Sequence, residues 1–150
     1  MEFLTWMEES GLGIWIREDL WAYPIVLSCH AVGMAIVVGM VTMIDIRVLG
    51  FARKIPISSF NSLFFLTFAG FLLNFISGVL LFFSDPTKFF YSTPFRIKIV
   101  LIILGMISAW MLLRNVSDNQ DSSTKAKTIA AFSLLFWFGA ITAGRLTAYL

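Results

Sequence analysis

The sequence predicts an all-α membrane protein, a four-transmembrane-helix antiparallel bundle preceded by a short N-terminal interfacial helix. The first observation is composition: hydrophobic residues make up 59% of the chain and charged residues 13%, whereas soluble domains carry about 25% charged residues. The second is the mean hydropathy of +0.87. The third is length, because 150 residues are enough for one domain. The chain therefore has too few charged residues to cover the surface of a water-soluble domain.

Four apolar segments are long enough to cross a bilayer, at about 20–44, 60–83, 97–113 and 129–150. A membrane-spanning helix needs roughly 17 to 25 mostly apolar residues. Helices satisfy their own backbone polar groups in lipid, and short connections make consecutive helices antiparallel. We therefore expect residues 1–150 to form a single integral membrane domain.

The stretch 1–19 mixes apolar and acidic residues ahead of the first span. We interpret it as a short helix lying in the membrane interface, with Trp6, Trp15 and Trp21 at the level of the headgroups. The alternative is a frayed tail. The first span is too long and begins too late for a signal peptide, and it lacks a basic lead-in.

The connections between the spans contain turn-forming residues. Ser58 or Ser59 is placed to cap the second helix. Turn residues follow within 84–94, where Pro94 fits just ahead of the third span. The third connection, 115–128, is the most hydrophilic stretch of the chain.

Basic residues give a modest indication of orientation. The first and third connections hold six Lys and Arg residues and the opposite side holds five, of which Lys98 and Arg145 lie inside or at the edge of apolar segments. Without those two the ratio is six to three. Since cytoplasmic loops are enriched in Lys and Arg, we expect both termini to lie outside the cytoplasm.

Four polar side chains define a candidate site in the outer half of the bundle: His30, Asn74, Lys98 and Arg145. His30 and Asn74 each lie about nine residues from the outer end of their spans, or ~13 Å at 1.5 Å per residue. Lys98 opens the third span and Arg145 closes the fourth, on the same side. Ionisable groups inside a membrane are costly and usually face a bundle interior or a cavity, so we expect the four to converge.

These residue types suit a cofactor. A neutral imidazole is a good axial ligand for heme iron and also binds copper; His30 is therefore the candidate metal ligand, with proton relay and simple packing as alternatives. Lys98 and Arg145 would neutralise heme propionates or else snorkel to lipid phosphates. Small residues spaced by four, such as Gly70 and Gly78, would admit a flat ligand or a neighbouring backbone. The leading hypothesis is that the protein binds a b-type heme and acts in electron transfer, and that Asn74 tunes the properties of the heme site.

Several other classes of function are excluded or disfavoured. A single His and a single Cys exclude a multi-histidine metal cage and an intrachain disulfide, and a formal charge of +2 is too small for a nucleic-acid partner. No residues support a Ser-His-Asp triad, a phosphate-binding loop or a two-carboxylate site. Asp45 is interpreted as part of an interfacial charge cluster with Arg53, Lys54 or Arg114, and Cys29 as a small buried thiol.

Three alternative functions stay open. The chain would be a non-enzymatic accessory subunit or homo-oligomeric scaffold, a transporter of copper or another small solute, or a porphyrin-oxidising or quinone-linked enzyme. Its expected partners are the lipid bilayer and either a second copy or a membrane or periplasmic redox protein.

Short motifs that span nearly all of the chain carry a family resemblance. They are Tyr23-Pro24, His30, Gly33, Gly39, Asp45–Gly50, Gly78, Phe95–Lys98 and Gly144–Tyr149. Together they resemble a group of small bacterial inner-membrane proteins of unknown function. More distantly, the layout looks like the four-helix J-type protoporphyrinogen oxidase and the membrane domain of the copper-resistance D family. The J-type resemblance implies heme b with roles for His30 and Lys98, and the group implies an inner-membrane location. In that membrane the termini, which the basic residues place outside the cytoplasm, would be periplasmic.

Overall fold

The computed structural model describes residues 1–51, 54–56, 64–115 and 124–149, and these residues are helical nearly throughout, without a strand among them. We number the helices in chain order. They are α1 (Glu2–Glu8), α2 (Gly11–Glu18), α3 (Ala22–Leu49), α4 (Phe64–Ser84), α5 (Pro86–Tyr91), α6 (Thr93–Asn115) and α7 (Thr124–Tyr149).

Four of these helices, α3, α4, α6 and α7, are long and apolar enough to cross a membrane, which confirms the predicted all-α four-span fold. The helices outrun the predicted spans at several ends: α6 begins at Thr93 and α7 at Thr124. Hydropathy marks only the apolar window, whereas Arg and Lys are good helix formers that continue a helix beyond it.

The four long helices pack as two pairs, and one helix of each pair contacts the other pair. The α3 helix packs along α4, the α6 helix packs along α7, and α3 also packs against α7. The α4 and α6 helices make little direct contact with each other. The bundle is therefore closed on three sides and weakly packed on the fourth, between α4 and α6.

Glycines allow the closest helix contacts. A Cβ atom added at Gly33 of α3 would lie 2.7 Å from the main-chain nitrogen of Asn74 and 2.8 Å from the main-chain oxygen of Gly70, both on α4. In the second pair, a Cβ atom at Gly105 would lie 2.9 Å from the indole of Trp137. Small residues at a crossing let helix backbones approach closely in lipid, where dispersion replaces the hydrophobic effect as the driving force.

Two apolar clusters fill the contact between α3 and its neighbours. Many large apolar side chains on the outer surfaces of the helices stay exposed, as expected for faces that meet lipid. The first cluster contains Val37, Val38, Val41 and Trp137, and the second Val48, Leu112, Ala126 and Ala130.

The N-terminal segment forms two short helices and docks on the bundle, so it is not a frayed tail. Ser10 separates them and caps α2, its hydroxyl accepting a hydrogen bond from the Gly13 amide at 3.1 Å. The α2 helix packs against the end of α4, where Gly13 meets the Phe83 carbonyl and Arg17 donates to the Ser84 carbonyl at 3.3 Å. Ile16 is fully buried in this contact.

The connection between α4 and α6 contains a short helix, α5, where the sequence analysis expected only turns. Asp85 caps it, accepting from the Lys88 amide at 3.2 Å, and Pro86 occupies its first turn. The rings of Phe82, Phe89 and Phe95 stack around this helix, with centroids 5.6–6.4 Å apart. They bridge α4 and α6 at this end of the bundle.

We call the end of the bundle that carries α1, α2 and α5 the capped end, and the opposite end the loop end. Pro94 lies one residue inside α6, close to its predicted place ahead of the helix. The predicted caps Ser58 and Ser59 lie outside the described residues, as does 116–123 of the hydrophilic connection.

Replacing Gly33 by alanine is expected to force α3 and α4 apart, because the new methyl group would meet main-chain atoms that cannot rotate away. Overpacking of this kind costs ~1–3 kcal/mol, so thermal unfolding in detergent should begin at a lower temperature. Gly39→Ala is the matched control on the same helix, since a Cβ atom there meets no other atom within 4 Å. Equal unfolding temperatures for the two variants would contradict the close crossing.

Candidate functional site

The imidazole of His30 lies at the centre of a small polar site in the capped half of the bundle. His30 is about two turns into α3, or ~12 Å from the start of the helix at 1.5 Å per residue. Ser77 and the Asn74 carbonyl approach it from α4, and Lys98 approaches it from α6. Three of the long helices therefore contribute a polar group to one place.

The hydrogen bonds of His30 assign its tautomer. Nδ1 lies 3.1 Å from the main-chain oxygen of Asn74 and 3.2 Å from the hydroxyl of Ser77. A carbonyl oxygen only accepts, so Nδ1 carries the hydrogen and donates it. The Ser77 hydroxyl donates its own hydrogen to the Leu73 carbonyl at 2.6 Å, which leaves its oxygen free to accept from His30. Nε2 therefore presents a lone pair.

Lys98 faces that lone pair. Its Nζ lies 3.4 Å from His30 Nε2, and an amine nitrogen donates to it across this distance. The lysine is partly buried, and its stem passes over Gly144 of α7, where an added Cβ atom would lie 3.4 Å from Cδ, Cε and Nζ. Gly144 thus makes room for the lysine, as Gly78 does for the imidazole at 3.2 Å from Cε1.

The structure brings together three of the four predicted site residues, though Asn74 acts differently from the expectation. Asn74 contacts His30 through its main-chain carbonyl, while its side-chain Oδ1 is buried without a hydrogen-bond partner among the described residues. Arg145 is exposed and, in the described ranges, forms no hydrogen bond or ion pair with His30, Asn74 or Lys98. Of the motif Gly144–Tyr149, it is Gly144 that contacts the site, through Lys98.

Sequence reasoning missed Ser77, although a signal for it exists. Ser77 lies three residues after Asn74 and one before Gly78, and residues three apart share a helix face. A hydroxyl on the face assigned to the site was therefore a candidate partner for His30. The role of a main-chain carbonyl, in contrast, leaves no trace in residue identities.

The described residues do not form a preformed three-ligand metal cluster at the site. Among the described residues, no group of three His, Cys, Asp or Glu side chains is close enough together to hold a metal ion. Cys29 is partly buried and precedes His30, so the two side chains leave α3 in different directions.

A second buried polar group lies in the loop half, at Asp45. Its side chain is fully buried and faces the Ser133 hydroxyl of α7. Lys54 and Arg114, two of its expected partners, form no ion pair with it, and Arg53 lies outside the described residues. Asp45 is therefore enclosed by helices and is not part of an exposed charge cluster with those two cations.

The chain matches no known protein-family model, and comparisons with curated proteins and with solved structures give no significant match. The resemblances carried by the sequence motifs therefore stay predictions.

The tautomer of His30 is directly measurable, because this histidine is the only one in the chain. Nitrogen-15 NMR of histidine-labelled protein should show a protonated Nδ1 and an Nε2 that accepts a hydrogen bond. Lys98→Met should move the Nε2 resonance toward that of a free acceptor and leave Nδ1 nearly unchanged. Lys88→Met, at an exposed lysine of α5, is the control. A protonated Nε2 in the unmodified protein would contradict the assignment.

Proposed function

We propose that this protein is a membrane binding protein whose ligand carries an acidic group and engages Lys98 beside His30 in the capped half of the bundle. The observation that supports the proposal is the set of groups that surround the Lys98 amine. Within the part of the chain that the structure describes, its hydrogen-bond partner is the neutral imidazole of His30, and it forms no ion pair with a carboxylate.

A lysine on a membrane-spanning helix is costly unless its charge is compensated. The ion pair between Arg17 and Glu8, 3.7 Å apart, belongs to the N-terminal helices and involves no site residue. A carboxylate or phosphate brought by a ligand would supply the missing negative charge. Imidazole contact does not supply it, since the His30 tautomer is uncharged.

The packing of the bundle supports an amphiphilic ligand. Lys98 lies on α6, and the side of the bundle between α4 and α6 has little direct helix contact. The aromatic cluster of Phe82, Phe89 and Phe95 bridges these helices toward the capped end. An apolar tail in the bilayer and an acidic head at Lys98 would fit this arrangement.

A b-type heme, with the electron transfer it would support, is the second candidate. It is favoured by the hydrogen bond from Nδ1 of His30 to a main-chain carbonyl, the arrangement that orients metal-ligating imidazoles. However, Lys98 Nζ stands 3.4 Å from Nε2, where iron would bind, and the imidazole itself fills the space beside Gly78. Heme binding would therefore require Lys98 to leave Nε2 and turn toward a propionate.

The distribution of basic residues also supports a proposed orientation in a bacterial inner membrane. The capped end, with both termini, would face the periplasm, and the more basic loop end would face the cytoplasm. The acidic ligand would then reach Lys98 from the outer leaflet.

Laurate is a suitable probe for the acidic-ligand proposal, with dodecanol as its uncharged counterpart. Laurate should draw Lys98 away from His30, so the nitrogen-15 resonance of Nε2 should shift saturably, whereas dodecanol should leave it in place. In Lys98→Met the effect of laurate should disappear, and in Lys88→Met it should persist. The proposal fails if laurate and dodecanol act alike, or if laurate acts equally on Lys98→Met.

The heme candidate is tested by the absorption spectrum of protein expressed with ample heme supply. Bound b-type heme would give a Soret band that is lost in His30→Ala and retained in Cys29→Ala, its neighbour on α3. A spectrum without a Soret band in the unmodified protein would eliminate heme and leave the acidic-ligand proposal standing.

A further inference from the structure

Asp45 and Ser133 form a polar pair in the loop half of the bundle that the proposed ligand site does not use. Asp45 lies on α3 and Ser133 on α7. Asp45 follows His30 by fifteen residues on the same helix, or ~22 Å at 1.5 Å per residue. The two polar centres are therefore separate in depth.

Both members of the pair are completely enclosed. Asp45 and Ser133 are each 0% exposed, and the residues three positions away on their helices, Val48 and Ala130, belong to a buried apolar cluster. Neither carboxyl oxygen of Asp45 has a hydrogen-bond partner among the described residues, and neither does the Ser133 hydroxyl. The carboxyl faces this hydroxyl without a geometrically complete hydrogen bond.

No described cation compensates a negative charge at Asp45. On its own helix, Arg47 points away and donates from Nε to the Ile55 carbonyl. On α6, Arg114 lies over the ring of Trp110, 4.2 Å from its centroid. On α7, Lys125 and Lys127 precede Ser133 by about two turns and form no ion pair with Asp45.

The remaining helices packed on α3 add no charge near Asp45 either. The described part of α4, Phe64–Ser84, contains no ionisable residue. The charged residues of α2 are Arg17 and Glu18, which lie at the capped end. An ionised carboxylate without a partner in such a place is strongly unfavourable.

A metal ion is a poorer occupant of this place than a proton. Hard cations require several oxygen ligands, about six to eight for Ca²⁺. The pair offers the two carboxyl oxygens and one hydroxyl, and no group of three His, Cys, Asp or Glu side chains exists among the described residues to extend it. A proton needs one carboxyl oxygen and no cavity.

We infer that Asp45 is a proton-binding site in the membrane interior, held as the neutral carboxylic acid with its O–H directed at the Ser133 oxygen. This site is independent of the acidic ligand proposed for Lys98. It places a group able to take up and release a proton in the loop half, on the helix that carries His30 in the capped half.

Infrared spectroscopy of the full chain in lipid bilayers tests the inference, because a protonated carboxyl has a carbonyl stretching band that a carboxylate lacks. At neutral pH the unmodified protein should show this band, and Asp45→Asn should lose it entirely. Glu18→Gln, at an exposed residue, should retain it. Ser133→Ala should shift the band to higher frequency, as the hydrogen-bond acceptor is removed.

The absence of a protonated-carboxyl band at neutral pH, or its persistence in Asp45→Asn, would overturn the inference. So would a band that appears in choline chloride and disappears when sodium chloride replaces it, since that would identify Asp45 as a sodium ligand. The Ser133→Ala shift keeps the test decisive if Asp45→Asn fails to fold. Laurate should not alter this band, which separates the result from that for Lys98.

Discussion

The candidate site depends on the close approach of α3 and α4 at Gly33 and Gly70. A Cβ atom added at Gly33 would lie within 3.0 Å of main-chain atoms of Gly70 and Asn74, and this close approach brings the Asn74 carbonyl within reach of the His30 ring. Because Nδ1 is committed to α4, Nε2 is the atom that faces the rest of the bundle. One packing contact thereby fixes which nitrogen of the only histidine is chemically available.

The surrounding lipid limits how the polar side chains of the bundle can be accommodated. In lipid, water cannot complete the hydrogen bonds of a buried side chain, so every group needs a protein partner, a ligand or a neutral form. His30 has protein partners on both nitrogens. Lys98 and Asp45 lack a partner of opposite charge among the described residues, so a ligand or a proton has to supply the compensation.

Sequence reasoning predicted the fold well, because a run of apolar residues and the need to satisfy the backbone in lipid leave few alternatives to spanning helices. It also placed His30 and Asn74 at about the same depth and Lys98 on the same side of the bundle. It did not predict α5, since the local capping by Asp85 was interpreted as a turn. The exposure of Arg145 and the burial of Asp45 depend on helix rotation, which the nearly uniform hydrophobicity of α3 and α7 does not encode.

The division of the bundle into two glycine-mediated pairs has a mechanical consequence. The α3–α4 pair and the α6–α7 pair are each joined tightly, at Gly33 and at Gly105, whereas contact between the pairs comes mainly from α3 and α7. The hydrogen bond between His30 of α3 and Lys98 of α6 crosses from one pair to the other. A pivot of the two pairs about the α3–α7 contact would change the distance between His30 and Lys98, and the chemistry of the imidazole would thereby be coupled to the shape of the whole molecule.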